Sequence, residues 1–227
     1  DASAGVFGFA RLRPLARLTL SGGARVDYDP GYGVEATPQA SAAYNLTGLT
    51  LRAAAGRAVR APNYVERYFN TVNPRPNGNL GNPDLEAERA WSFEGGADVY
   101  PVAGLSLHAT AFVRDTDNLI DYVRRDVAEP YWLARNLLDV RTRGLELDAV
   151  WDRTFGDHRL RVASTYTRLG AALGAAAGVE YKYALTHARR MLQSVATLDA
   201  GPLRLGLQHL WKERLTRERY QVVDVRL

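Results

Sequence analysis

The side chains best suited to chemistry are few in this chain, and their spacing does not concentrate them. The four histidines, His108, His158, His187 and His209, stand far apart. None has the His-x-x-x-His or His-Glu-x-x-His spacing that sets two imidazoles around zinc. There is no cysteine, which removes thiolate metal sites, disulfides and a thiol nucleophile. Asp115, Asp117 and Asp121 are hard oxygen ligands at short intervals, but the glycine and closing glutamate of a calcium loop are missing. No Ser-His-Asp set and no catalytic carboxylate pair can be assembled. The expectation is therefore a protein that is not an enzyme and holds no cofactor and no metal.

What remains is recognition chemistry. Tyr64, Tyr68 and Phe69, then Tyr131, Trp132 and Arg135, are the aromatic and guanidinium side chains that commonly anchor a bound ligand. The same side chains serve equally well to pack loop against loop. Nucleic acid is not an expected partner, because 29 Lys+Arg against 25 Asp+Glu leave a net charge of only +4. No basic run or basic helix concentrates that surplus.

The elements that must carry these residues show a period of two. Between residues 17 and 28, Leu18, Leu20, Gly22, Ala24, Val26 and Tyr28 fall on one face, and Arg17, Thr19, Ser21, Arg25 and Asp27 on the other. The pattern recurs at 91–99, 145–151, 158–168 and 203–211. It is weaker near 6–13, 36–45, 49–59, 105–117, 187–199 and 220–227, which makes about eleven strands. Arg13-Pro14-Leu15, Asn45 to Gly48, Pro101 to Gly104, Asp152 to Asp157 and Ala200 to Pro202 read as tight turns. Longer stretches lie near 29–35, 60–89, 118–137, 169–187 and 212–219.

Alternating short and long connections suit a transmembrane β-barrel, whose short turns gather at one end and long loops at the other. No window of about 18 apolar residues exists, but a transmembrane strand needs only about 9–11 residues with alternate side chains facing lipid. Arg, Glu, Asp and Gln on one face of each strand would line a watery lumen. Trp91, Tyr100, Trp151, Tyr166 and Trp211, near segment ends, suit interfacial girdles. Two alternatives stay open: a smaller complete barrel, either a passive porin or an autotransporter translocator, and a soluble secreted β-sandwich adhesin. The first predicts closure within the chain, the second a core between Leu/Val faces. No basic-then-apolar start suggests a signal peptide at Asp1–Ala4.

The 56–89 stretch carries a family resemblance. Arg60-Ala61-Pro62 is followed by Glu66-Arg67-Tyr68, then by Gly81-Asn82-Pro83-Asp84-Leu85 and Glu88. Downstream come Asp117-Asn118-Leu119-Ile120-Asp121-Tyr122, Arg135-Asn136, and Arg143-Gly144-Leu145-Glu146-Leu147. In this order the motifs resemble the late barrel strands of TonB-dependent outer-membrane receptors of the cobalamin and siderophore type, with Val59 in place of a usual aromatic. Locally, Pro62 ends a hydrogen-bonded ladder, Gly78, Gly81 and Asn82-Pro83 turn a long loop, and Gly144 permits a bulge or a close backbone approach.

The resemblance implies an all-β fold, an antiparallel up-and-down transmembrane β-barrel present in part, about eleven strands of a barrel of about 22. Residues 1–227 would be partial barrel, without the plug domain and the remaining strands, and Val222 to Leu227 would be a strand cut short. It implies active uptake, across the outer membrane of a two-membrane bacterium, of a scarce large ligand such as a ferric siderophore or cobalamin. The implied partners are the TonB complex, through a missing N-terminal region, and outer-membrane lipid or lipopolysaccharide. Arg124 and Arg125 would meet lipopolysaccharide phosphates or an anionic ligand, or be solvated.

Overall fold

The computed structural model describes residues 2–70, 78–125, 129–137, 139–173, 179–183, 188–214 and 218–227. His187 and part of the 60–89 stretch lie outside these. Eleven strands form one antiparallel sheet in which every strand pairs with its neighbours in chain order. They are β1 (Ala4–Leu15), β2 (Leu18–Asp29), β3 (Gly33–Leu46), β4 (Leu49–Arg60), β6 (Glu88–Val102), β7 (Leu105–Asp117), β10 (Val140–Phe155), β11 (His158–Leu173), β13 (Ala188–Ala200), β14 (Leu203–Arg214) and β15 (Arg219–Arg226). A second sheet is made from the long connections. Its strands are β5 (Gly78–Leu80), β8 (Ile120–Arg124), β9 (Tyr131–Asn136) and β12 (Glu180–Tyr181), and the helix α1 (Tyr64–Tyr68) accompanies them. They lie side by side in the order β12-β8-β9-β5.

The eleven segments expected from alternation are the eleven strands of the large sheet; seven run longer than expected, and those near 17–28, 105–117, 187–199 and 220–227 keep their length to within a one-residue shift. Three turn expectations shift. β1 runs through Pro14 to Leu15, so the first turn is Ala16-Arg17. The stretch near 29–35 is only a three-residue turn between β2 and β3, with Tyr32 N–H donating to the Asp29 carbonyl at 3.2 Å. β10 continues to Phe155, leaving Gly156-Asp157 at the turn. The positive φ of Gly48, Gly104, Gly156 and Gly201 marks four of the tight turns at this end.

Strand register sorts the side chains into two faces. One carries Val6, Leu20, Val26, Leu51, Phe93, Leu107, Leu147, Trp151, Leu198, Leu205, Leu207 and Val225, all more than a third exposed. A continuous apolar surface of this extent, left bare, is the mark of a membrane or interaction face. The buried hydrophobics among the described residues, Leu85, Ala87, Ile120, Tyr122, Val123, Ala134 and Val140, lie instead at the long-connection end. The sandwich alternative requires the apolar face to be packed in a core, and it is not. The smaller-barrel alternative requires β1 to meet β15, and the sheet leaves them as its two edges.

The opposite face is polar and internally paired. The Arg52 Nε donates to both Asp98 carboxylate oxygens at 3.0 Å, and its Nη2 to Thr110 Oγ1 at 2.9 Å. His108 Nδ1 lies 2.9 Å from Asp98. Further along, Thr165 donates to Asp148 at 2.6 Å and Arg159 to Asp152 at 2.7 and 2.8 Å. Tyr100 belongs to this face, edge-on to His108 with ring centroids 6.0 Å apart, so it is no part of a girdle on the apolar side. Trp91, Trp151, Tyr166 and Trp211 do lie on the apolar face.

One seam is held by charge instead of backbone. The β3–β4 ladder stops at Gln39–Gly56, beside Pro38, which has no N–H to donate. Beyond it β3 pairs only with β2, and β4 only with β6. Glu35 fills the parting: Arg57 Nη2 reaches it at 2.8 Å and Arg89 Nε at 2.7 Å.

Candidate functional site

The long-connection end is built from α1 upward. Asn63 and Glu66 form a capping box: the Glu66 N–H donates to Asn63 Oδ1 and the Asn63 N–H to Glu66 Oε2, each at 2.8 Å. Arg60, at the end of β4, donates to Glu66 at 3.0 and 3.1 Å and to Glu88, at the start of β6, at 2.5 and 2.7 Å. Glu88 also accepts from the Ile120 N–H at 2.7 Å. Three motif positions that are far apart in sequence are thus one ionic knot, tying α1 and the 118–137 stretch to the sheet rim. Pro62 is buried at the point where β4 ends, as its missing donor requires, and Ala61 beside it is exposed.

The Gly81-Asn82-Pro83 segment docks on α1. Gly81 N–H donates to the Phe69 carbonyl at 2.7 Å and Asn82 N–H to the Glu66 carbonyl at 2.9 Å. A Cβ at Gly81 would come within 2.7 Å of the Arg67 and Tyr68 backbone, so only glycine fits. Asn82 Oδ1 accepts from the Asp84 N–H at 3.0 Å, a local turn that leads Leu85 into the core. There Leu85, Ile120, Tyr122 and Ala134 pack together, with Trp132 against them. Asn136 closes the layer, donating to the Glu86 and Asn118 carbonyls at 3.0 and 2.8 Å.

The six candidate ligand residues fall into two groups. Tyr64, Tyr68 and Phe69 stand exposed on and just after α1, with the two tyrosine rings 5.2 Å apart. Tyr131, Trp132 and Arg135 lie half-buried on β9, with Trp132 on one face and the other two on the opposite face. The groups are bridged by Tyr122, whose hydroxyl donates to the Val65 carbonyl at 3.2 Å. Burial, then the Glu66 carboxylate and Tyr183, push the Tyr122 phenol above its ordinary value. Arg135 Nε is buried without a hydrogen-bond partner among the described residues.

Two contributors, Lys182 and Tyr183, escaped sequence reading, and Arg124, expected there as an anion contact, joins them. Lys182 Nζ donates to Asn79 Oδ1 at 2.6 Å and lies 5.6 Å from the Trp132 ring, and Arg124 lies 4.5 Å from that ring. Tyr183 meets Tyr122 edge-on at 6.3 Å. The available signal was Glu180-Tyr181-Lys182-Tyr183, a charged aromatic cluster closing an otherwise Ala/Gly-rich connection. Arg124 also holds Glu180 at 2.5 Å. Of the aspartates considered for calcium, Asp115 receives Arg141, and Asp121 accepts the Tyr122 and Tyr183 amides.

Gly144 and Glu146 lie in β10 on the polar face. The ladders on both sides run without a register shift, so Gly144 makes no bulge. It makes room for a side chain instead: a Cβ there would run into the Phe112 ring.

The arrangement sets exposed aromatic side chains above a polar wall, and similar proteins have the same form. A mutant of the ferric enterobactin receptor of Pseudomonas aeruginosa, solved with enterobactin, superposes with a TM-score of 0.75 at 19% identity, over 98% of this chain and 37% of that one. The copper transporter OprC gives 0.74 at 17% identity, over 98% of this chain and 39% of its own. In sequence, the vitamin B12 transporter BtuB of Photobacterium profundum is 29% identical over 137 residues, 57% of this chain and 20% of that protein. This chain therefore spans well under half the length of each. The family model described as TonB dependent receptor-like, beta-barrel matches residues 1–223. The chain belongs to the TonB-dependent receptor β-barrel family.

Proposed function

We propose that this chain is wall and loop layer of an outer-membrane receptor in a two-membrane bacterium, one that imports a scarce large ligand such as a ferric siderophore or a cobalamin. One observation carries the reading: an up-and-down sheet with one bare apolar face and one ion-paired polar face, roofed at a single end by a built loop layer. Lipid would cover the first face and a plugged lumen would lie against the second. The unpaired edges of β1 and β15 support completion of the wall by further strands, because each unsatisfied backbone group in hydrocarbon costs several kcal/mol.

In this reading the loop layer captures the ligand, with Tyr64, Tyr68 and Phe69 as the exposed contacts and Tyr131, Trp132 and Arg135 as the half-buried ones. A plug domain and the TonB complex would then release the ligand inward, using the proton gradient. The test is uptake by cells that depend on the full-length receptor for radiolabelled cobalamin or iron-loaded siderophore. Accumulation should occur for one ligand class and collapse when TonB is deleted. Accumulation that survives the deletion would make the protein a passive pore.

A further inference from the structure

We propose that the apolar face of β11, β13 and β14 is a contact between two copies of this chain, which pair side by side in the membrane through Ser164, Ser194 and His209. The proposal rests on the outer-membrane reading above. On each of these strands one polar residue interrupts an apolar phase: Ser164 between Val162 and Tyr166, Ser194 between Leu192 and Ala196, His209 between Leu207 and Trp211. Register puts the three interruptions in one row, with Ser194 directly opposite both Ser164 and His209. Apolar rows lie on either side. Leu147, Tyr166, Leu192 and Trp211 form one, and Trp151, Val162, Ala196 and Leu207 the other. The polar row therefore lies inside the apolar band and not at its edge.

The hydrogen-bonding groups of this row do not balance within one copy. Ser164 and Ser194 share a single hydrogen bond, at 2.9 Å, which uses one hydroxyl proton and leaves the other over. Neither nitrogen of His209 has a hydrogen-bond partner among the described residues. Thr165, the neighbour of Ser164 that points to the lumen, has Asp148 at 2.6 Å. Hydrocarbon offers nothing in place of such a partner, and polar side chains at membrane depth as a rule face protein or water.

What the row lacks, a second copy of the row supplies. The hydroxyl pair has a spare donor and free lone pairs, and a neutral imidazole has one acceptor and one donor nitrogen. Copies of one chain enter the membrane with the same orientation and depth. A two-fold axis along the membrane normal, between β13 and β14, then brings the hydroxyl pair of each copy against His209 of the other. Such a contact is isologous and closes as a dimer. Ala149, directly opposite Ser164, and Ala196, two residues after Ser194, keep the surface low there and let the two walls approach closely. A different protein would have to bring its own polar group to the same depth.

The test measures dimerisation of the full-length receptor in lipid vesicles, by energy transfer between donor-labelled and acceptor-labelled protein over a range of protein-to-lipid ratios. The wild type should dimerise. His209→Leu and the double variant Ser164→Ala/Ser194→Ala should each lose both cross-contacts and dimerise about tenfold more weakly, at about threefold per hydrogen bond in a membrane. Mixed together, the two variants keep one contact, so their heterodimer should be about threefold tighter than either homodimer. Gln208→Ala, on the lumen face of β14, should dimerise as the wild type does. Both interface variants make the wall more apolar, and either alone keeps the test readable if the other misfolds. Equal dimerisation by the wild type and a folded interface variant overturns the site, as does a wild type that stays monomeric at every ratio. A heterodimer no tighter than the homodimers overturns the two-fold arrangement. A different membrane protein that co-purifies with the wild type and is lost from His209→Leu would replace the second copy as the occupant. Failure of the wild type to migrate as a heat-modifiable barrel would bring down the outer-membrane reading itself, whereas a heat-modifiable monomer brings down the contact alone.

Discussion

The loop layer and the wall are specified by close approaches that tolerate only one residue type. Gly144 is the clearest, because the Phe112 ring lies where its Cβ would be. The two are opposite neighbours on β10 and β7, so the ring can yield only by swinging off the sheet. Gly144→Ala is expected to cost about 1–3 kcal/mol, the usual penalty of overpacking. Phe112→Ala in the same chain should remove most of that penalty, leaving a coupling energy of similar size. Urea unfolding of the full-length receptor in lipid vesicles measures all three variants. Additive costs would show that the glycine is there for backbone reasons and not for the ring. The motif positions Arg60, Glu66 and Glu88 belong to the same scale: their charges matter because they meet, and nothing in a linear reading shows that they do.

Among the elements, the large sheet was legible and the small one was not. Alternation over seven or more residues announces a strand whose two faces meet different surroundings, as in β2, β10 and β14. β5 spans three residues and β12 two, too short for any period to show. Their pairing joins separate connections, and the Lys182–Asn79 bond spans 103 residues of sequence. Helix α1 has five residues, and of its capping box only Glu66 stood in a motif. The layer coheres through Tyr122, which suggests an alkaline test. Its phenol is held above the ordinary value of about 10, so the folded layer favours the neutral form. That contribution is present in full below the unfolded value and is lost as pH rises through the folded one. Amide exchange at residues 64–69 of the full-length receptor should therefore speed up above about pH 10. Tyr122→Phe removes the titration and should abolish the dependence, at the cost of one hydrogen bond, about 0.5–1.5 kcal/mol. An alkaline opening unchanged in Tyr122→Phe would place the switch elsewhere.

For the whole molecule, the decisive property is which face meets hydrocarbon, and adjacent residues on one strand decide it. Leu207 and Gln208 are neighbours in the middle of β14 and point to opposite faces. Leu207 pairs with Ala196 and Val225 on the apolar side, and Gln208 with Val195 and Asp224 on the polar side. In a bilayer, Leu207→Arg puts a guanidinium against lipid tails and is expected to cost about 2–4 kcal/mol, less if it lies near an interface. Gln208→Arg puts the same charge in the lumen, where Asp224 lies opposite, and should cost close to nothing. Both variants carry identical charge, so net-charge and expression effects cancel in the comparison. Unfolding free energies of the full-length receptor in vesicles supply the number. A large cost for Gln208→Arg with none for Leu207→Arg would turn the wall inside out. Similar small costs for both would mean that neither face meets lipid, and the bare apolar surface would then need a protein to cover it.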